Sequence, residues 1–163
     1  MLFRSGSYLF PKAIAKKALY FFATPQCIAR PPSEMAWFES SKKFKFGTGI
    51  AAFEWGNPDG PLVILLHGWS GRGTQMGAFA APLVEKNYRV IALDGPAHGD
   101  SAGEMTNPGD FANCLLQAQK EFGKIKAVIA HSFGGGSSVL AVSRGLRLEK
   151  LVLVASQIGR AHV

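Results

Sequence analysis

Val128-Ile129-Ala130-His131-Ser132-Phe133-Gly134-Gly135-Gly136 is the stretch that decides the fold, because an apolar run there turns through one serine into three glycines and then into helical spacing. Lys126 to Ala130 is short and apolar, with β-branched Val128 and Ile129, as expected of a strand buried on both faces of a parallel sheet. From Ser137 to Arg147 the apolar residues Val139, Leu140, Val142 and Leu146 recur at helical intervals, and Gly145 is an end signal. A strand that reverses into a helix within about two residues forces the corner residue into a strained conformation.

Such a corner needs small residues two before and two after the serine, so that strand and helix backbones can close together and the hydroxyl projects from the sheet. Ala130 and Gly134 hold those places. Alanine at 130 departs from the usual glycine, although its methyl group is the smallest side chain available. The N–H of Phe133 is then placed at a helix N-terminus, whose dipole favours developing negative charge. A Ser/Gly-rich loop after any buried strand is the plainer alternative, and this stretch alone does not separate the two.

Working outward, the 163 residues are 47% hydrophobic and 18% charged, which suits one globular domain. No apolar run approaches the ~20 residues that span a bilayer. Cys27 and Cys114 form no metal or redox spacing, so a reduced cytoplasmic setting is expected, with a peripheral-membrane or exported protein as the alternatives. The formal charge of +7 is uneven: residues 1–45 hold eight Lys/Arg against Glu34 and Glu39, and the rest of the chain is nearly neutral. This basic, aromatic-bearing arm suits weak contact with an anionic membrane, or its lysines simply solvate one face of a packed segment. No nucleic-acid-binding motif accompanies it.

Pro11 is expected to open a helix to about Phe22, with Phe10, Ile14, Ala18 and Phe21 on one side, ending before Thr24-Pro25. Lys12, Lys16 and Lys17 interrupt the uninterrupted apolar core that a signal peptide needs. Residues 24–43, with Pro25, Pro31 and Pro32, read as a connecting segment, so the expected division is a basic N-terminal part, 1–43, and a main domain, 44–163.

Lys45 to Trp55 reads as one or two strands about Gly47 and Gly49, and Asn57-Pro58-Asp59-Gly60-Pro61 as a turn. Leu62 to Leu66 is a buried strand ending in His67-Gly68-Trp69-Ser70-Gly71. A helix over about Thr74 to Lys86 follows, then a strand Arg89 to Leu93 and a loop Asp94 to Ser101. A helix from about Asp110 to Phe122 precedes the serine corner, and Leu151 to Ala155 supplies one more strand. Strands alternating with helices imply an α/β fold: a mainly parallel, doubly wound sheet with helices on both faces and functional loops at the strands' carboxyl ends.

Three loops, His67–Gly71, Asp94–Ser101 and Ala130–Gly136, thus stand at the ends of three successive strands, and together they resemble the α/β-hydrolase superfamily, more narrowly its bacterial esterase or serine-aminopeptidase-like members. The match covers about residues 45–157. The resemblance implies a serine hydrolase acting on a small-molecule ester, thioester or amide, with Ser132 as nucleophile and the backbone N–H groups of Trp69 and Phe133 as the oxyanion hole. It implies loop-holding roles for His67, Gly68, Asp94, His98 and Gly134. His131 is expected to point away from the serine, and Asp94 and Asp100 to cap turns. No cofactor and no metal are expected. Gly68, Gly71 and Gly73 do not have dinucleotide-binding spacing, Gly134-Gly135-Gly136 lacks the Lys-Ser/Thr of a phosphate loop, and the four histidines have no ligand spacing.

The chain departs from the family in its last part. The order serine, acid, histidine is formally met by Ser132, Glu149 and His162. Glu149, however, is expected before the last strand, at the amino end of the sheet, roughly 20 Å from the corner at ~3.3 Å per residue. The family's acid and histidine follow its seventh and eighth strands, so the expectation is an amino-terminal part of a hydrolase, ending after the sixth strand and weakly active or inactive alone. Leu151 to Ala155 is then an open apolar edge through which copies self-associate. A non-catalytic binding or assembly module on the same scaffold is the alternative function.

Overall fold

Five consecutive buried residues, Leu62 to Leu66, split their side chains between two cores. Leu62, Ile64 and Leu66 join Ile91, Leu93, Phe111 and Leu115, whereas Val63 and Leu65 join Phe53, Trp55, Met76 and Val90. A strand with no polar face needs cover on both sides. The computed structural model, which describes residues 11–156, supplies that cover. Its elements run α1 (Pro11–Ala23), α2 (Pro32–Ser40), β1 (Lys42–Phe46), β2 (Ile50–Gly56), β3 (Leu62–Leu66), a 3₁₀ helix (Gly73–Phe79) and α3 (Ala80–Val84). There follow β4 (Arg89–Leu93), α4 (Pro108–Phe122), β5 (Ile125–His131), α5 (Phe133–Ser143) and β6 (Leu148–Val154). Helices α4 and α5 cover one face; α2, the 3₁₀ helix and α3 cover the other.

The six strands lie in the order β1-β2-β4-β3-β5-β6. β4, β3, β5 and β6 are parallel, and β1 and β2 pair antiparallel at one end. This is the mainly parallel α/β architecture expected, with a helix preceding it. β6 forms the opposite edge from β1.

Several boundaries differ from the sequence reading. α5 starts at Phe133, directly after the serine, rather than at Ser137, because the glycines 134–136 extend the helix instead of looping before it. The segment expected as one helix from Thr74 begins as a 3₁₀ helix: a Cβ on Gly77 would overlap the Trp37 ring, and one on Gly73 would lie 3.1 Å from the Leu93 carbonyl carbon. β6 starts at Leu148, three residues early, so Glu149 lies inside the strand, still at its amino end.

The largest correction concerns residues 24–43, which are more than a connector. Pro32 occupies the first turn of α2, where its missing N–H costs nothing, and Lys42 and Lys43 already belong to β1. The segment straps itself to the loops above the sheet. Thr74 Oγ1 donates to the buried Glu34 at 2.8 Å, Arg72 pairs with the same carboxylate at 3.5 Å, and Arg72 Nη1 donates to the Ile28 carbonyl at 2.6 Å. Arg30 reaches Asp100 at 2.6 Å, and the Gln26 N–H donates to Ser70 Oγ at 3.0 Å. Glu34→Ala leaves Arg72 buried without its carboxylate and is expected to lower unfolding free energy by about 3 kcal/mol in urea titration; an unchanged midpoint contradicts this account of the strap.

Candidate functional site

β3 and β5 are neighbours, yet the chain leaves them for opposite flanks: β3 connects to β4 on one side, and β5 to β6 on the other. A crevice therefore opens outside their carboxyl ends, the usual ligand position in such sheets. Into it come the loops 67–71, 94–101 and the corner at Ser132.

Ser132 links β5 to α5 with φ +48° and ψ −116°, a conformation that L side chains rarely adopt, and its N–H donates to the Val154 carbonyl at 2.9 Å. Of five described non-glycine residues with positive φ, four, Ser70, Ala97, Ser132 and Ala155, lie beyond the carboxyl ends of β3, β4, β5 and β6 in turn, and the fifth, Asn87, precedes β4. Each such residue costs about 1–3 kcal/mol, so the strain is concentrated on one rim of the sheet. The corner closes because its neighbours are small. A Cβ on Gly134 would overlap the His67 carbonyl oxygen and lie 3.0 Å from that of Leu66, and Ala130 is fully buried. Gly68 is equally constrained, since a Cβ there would sit 3.1 Å from Ser132 Cβ and 3.0 Å from His131 Nδ1.

His67 and His98 are held at both ring nitrogens. His67 Nε2 accepts from the Gly95 N–H at 2.8 Å, and Nδ1 donates to the Gly68 carbonyl at 2.6 Å. Burial drives its pKa down to about 3, despite the carbonyl contact, so the ring is neutral. His98 Nε2 accepts from the Ser70 N–H at 3.0 Å and Nδ1 faces the Pro96 carbonyl at 3.0 Å; burial lowers its pKa too. Asp94 accepts from the N–H groups of Gly73 at 2.6 Å and Asp100 at 2.7 Å, while burial raises its pKa to about 6. Phe111 packs under all of this, its ring 5.5 Å from that of His67, 5.1 Å from His98 and 5.0 Å from Phe133.

Above the corner, Trp69, Pro108, Ser132, Phe133, Gly136 and Ser137 line a cavity of about 360 Å³. The Trp69 and Phe133 rings meet edge-on at 5.1 Å. Among the described residues, the N–H groups of Trp69 and Phe133 donate no hydrogen bond, and both residues line the cavity. Chemically, a lone hydroxyl beside two open N–H donors suits attack on a carbonyl whose oxygen gains charge.

No histidine or carboxylate among the described residues hydrogen-bonds the Ser132 hydroxyl. His131 is exposed with its ring against Gly68. Glu149 is taken by Lys124 at 2.9 Å and by Lys126, whose hydrogen bond pushes its pKa down to about 2 at the far end of β5. His162 lies outside the described residues. Among those residues no group of three His, Cys, Asp or Glu side chains could hold a metal ion. The straps through Arg30, Glu34 and Arg72 escaped sequence reasoning, since ion pairs between distant segments leave no local spacing; only Pro32 at a helix start signalled α2.

Comparison with known proteins agrees with the fold. Residues 63–162 match the alpha/beta hydrolase family. The chain is 36% identical over 115 residues to a pimeloyl-[acyl-carrier protein] methyl ester esterase of Pectobacterium atrosepticum, covering 66% of this chain and 42% of that protein. It is 32% identical over 114 residues to a non-heme chloroperoxidase of Burkholderia pyrrocinia, covering 63% and 40%. A thioesterase domain from the curacin biosynthetic pathway superimposes with a TM-score of 0.64 at 25% identity, over 76% of this chain and 48% of that one. The chain belongs to the alpha/beta hydrolase family, and it spans about two fifths of the length of these curated relatives.

The two histidines make the rim sensitive to acid. His67 has a folded pKa below its unfolded 6.5, so its contribution is complete above pH 6.5 and falls as pH drops towards 3. Asp94, with its raised pKa, changes in the opposite sense between about pH 6 and 4. Comparing the wild type with His67→Gln cancels the Asp94 part: from pH 7 to pH 5 the wild type is expected to lose about 2 kcal/mol more than the variant in urea unfolding. Parallel pH curves contradict a buried neutral His67.

Proposed function

We propose that this chain carries the nucleophilic half of a serine hydrolase acting on a small-molecule ester, thioester or amide. Ser132 Oγ attacks the acyl carbon, the carbonyl π electrons move to oxygen, and the N–H groups of Trp69 and Phe133 bind the resulting oxyanion. The leaving alcohol, thiol or amine departs with the serine proton as the carbonyl reforms; water oxygen then bonds to the acyl carbon, the bond to Ser132 Oγ breaks, and a water proton restores the hydroxyl as the carboxylic acid leaves. The observation that carries this reading is the strained Ser132 corner beside two residues, Trp69 and Phe133, whose N–H groups find no acceptor among the described residues. The esterase and thioesterase names among the relatives support an acyl substrate.

Among the described residues no base contacts Ser132 to take up its proton. His67 and His98 are committed to backbone partners, and Glu149 sits at the opposite end of the sheet. The 163-residue chain is therefore expected to be weak or inactive, with only the residual catalysis that an oxyanion hole and binding supply. The same absence of a base favours a second reading, a non-catalytic binding module on the hydrolase scaffold.

A fluorophosphonate probe separates the two. Labelling of the chain is expected to be slow, at least ~10³-fold below that of an enzyme with an intact triad. Added imidazole, standing in for the base, is expected to speed labelling in the wild type and not in Ser132→Ala. Label that survives Ser132→Ala contradicts the nucleophile assignment. No labelling even with imidazole favours the binding module.

A further inference from the structure

The last turn of α1 presents four consecutive apolar side chains to solvent: Leu19 is 64% exposed, Tyr20 53%, Phe21 73% and Phe22 75%. Four neighbours on a helix point in all directions about its axis, so no single packing surface accounts for them. Soluble surfaces rarely expose apolar groups contiguously without an interaction to cover them. Just before this ring come Lys12, Lys16 and Lys17, all exposed, and α1 holds no acidic residue. At 1.5 Å per residue the lysines lie about 3–15 Å behind the aromatic end along the axis. That is the spacing over which a bilayer passes from acyl chains to phosphate headgroups.

The apolar end is also continuous with the cavity at Ser132. Tyr20, Phe21 and Phe22 border a cavity of about 530 Å³ whose other wall is Trp69. Leu19 and Phe22 border a second, of about 410 Å³, shared with Trp69, Pro108 and Phe133. Trp69, Pro108 and Phe133 line the Ser132 cavity as well. The helix end is fastened there by the Thr106 N–H, which donates to the Ala23 carbonyl at 2.9 Å.

We propose that the carboxyl end of α1 docks on an anionic lipid surface, with Leu19 to Phe22 entering the acyl boundary and Lys12, Lys16 and Lys17 meeting lipid phosphates. Docking in this pose sets the mouth of the Ser132 cavity against the bilayer. No helix among the described residues is long and apolar enough to cross a membrane, so the contact is peripheral. The charge selects the occupant: a second copy of this basic chain gains nothing from three cationic side chains behind the apolar end, whereas a plane of anionic headgroups meets all three beside an acyl layer that takes the apolar ring. The consequence for substrate, an amphiphilic acyl compound entering from the lipid side, rests on the serine hydrolase reading; the docking itself does not.

Vesicle flotation of the full chain tests it, because aggregated protein does not float. The chain is expected to float with phosphatidylcholine vesicles containing about one third phosphatidylglycerol, and to be released by salt as the Debye length contracts. Lys16→Glu/Lys17→Glu is expected to weaken binding about 25-fold or more, at roughly fivefold per lysine charge. Phe21→Ser/Phe22→Ser is expected to lose about tenfold or more per ring. No residue of α1 is buried, so both variants keep the sheet, and unchanged circular dichroism checks this. Ser132→Ala is expected to float like the wild type, so failure of the enzyme reading leaves the docking intact. Equal flotation on neutral and anionic vesicles, no flotation, or unaltered flotation of both double variants overturns the proposal. A lipid-free dimer that Phe21→Ser/Phe22→Ser converts to monomer in light scattering also overturns it, since the ring is then a self-contact.

Discussion

The rim of this sheet closes on one residue. The His67 ring accepts the Gly95 N–H from the loop after β4, and its carbonyl oxygen faces Gly134, whose lack of a side chain lets α5 approach β3. Three loops from three strands meet there around a ring that is 1% exposed. Protonating the imidazole would set an N–H against the Gly95 N–H and place an unpaired charge where burial is complete, which is why the ring stays neutral. The remaining polar contacts, His98 to Ser70 and Asp94 to Gly73 and Asp100, repeat the same device of a side chain fastening a backbone turn.

Those fasteners are what allow strain to persist at Ser132. A serine at φ +48° relaxes unless its surroundings over-determine it. The Val154 carbonyl fixes its N–H from one side, and Gly68 and Gly134 hold two backbones against it from the others. Phe111 fills the space beneath, with no exposed surface of its own. The N-terminal segment adds a second layer of restraint through Arg30, which reaches Asp100, and Glu34, which reaches Arg72. On the proposed serine hydrolase reading, a hydroxyl and two N–H groups held this way need little reorganisation to meet a charged intermediate.

The layout of the sheet was legible in the sequence because its central strands carry no polar face and its turns carry glycine and proline. Leu62 to Leu66 and Arg89 to Leu93 have the bounds that spacing alone indicated. Boundaries failed where tertiary contact overrode local signals. Gly134 to Gly136 looked like loop but extend α5, because close packing against Leu66 and His67 favours glycine at 134. Residues 32–40 looked like a proline-rich connector, yet Trp37 and Phe38 have a core to join, and Glu34 has a buried arginine 38 positions away in sequence. The tight corner at Ser132 and the loops around it were readable from residue spacing. The base was not, and the described residues hold none in contact with Ser132.

The most direct measurement is a crystal structure of the chain after fluorophosphonate treatment with imidazole present. The account predicts phosphorus bonded to Ser132 Oγ, residue 132 still at positive φ, and a phosphonyl oxygen about 2.7–3.1 Å from the N–H nitrogens of both Trp69 and Phe133. A phosphonyl oxygen turned away from both nitrogens, or residue 132 relaxed into a continuous helix, contradicts it.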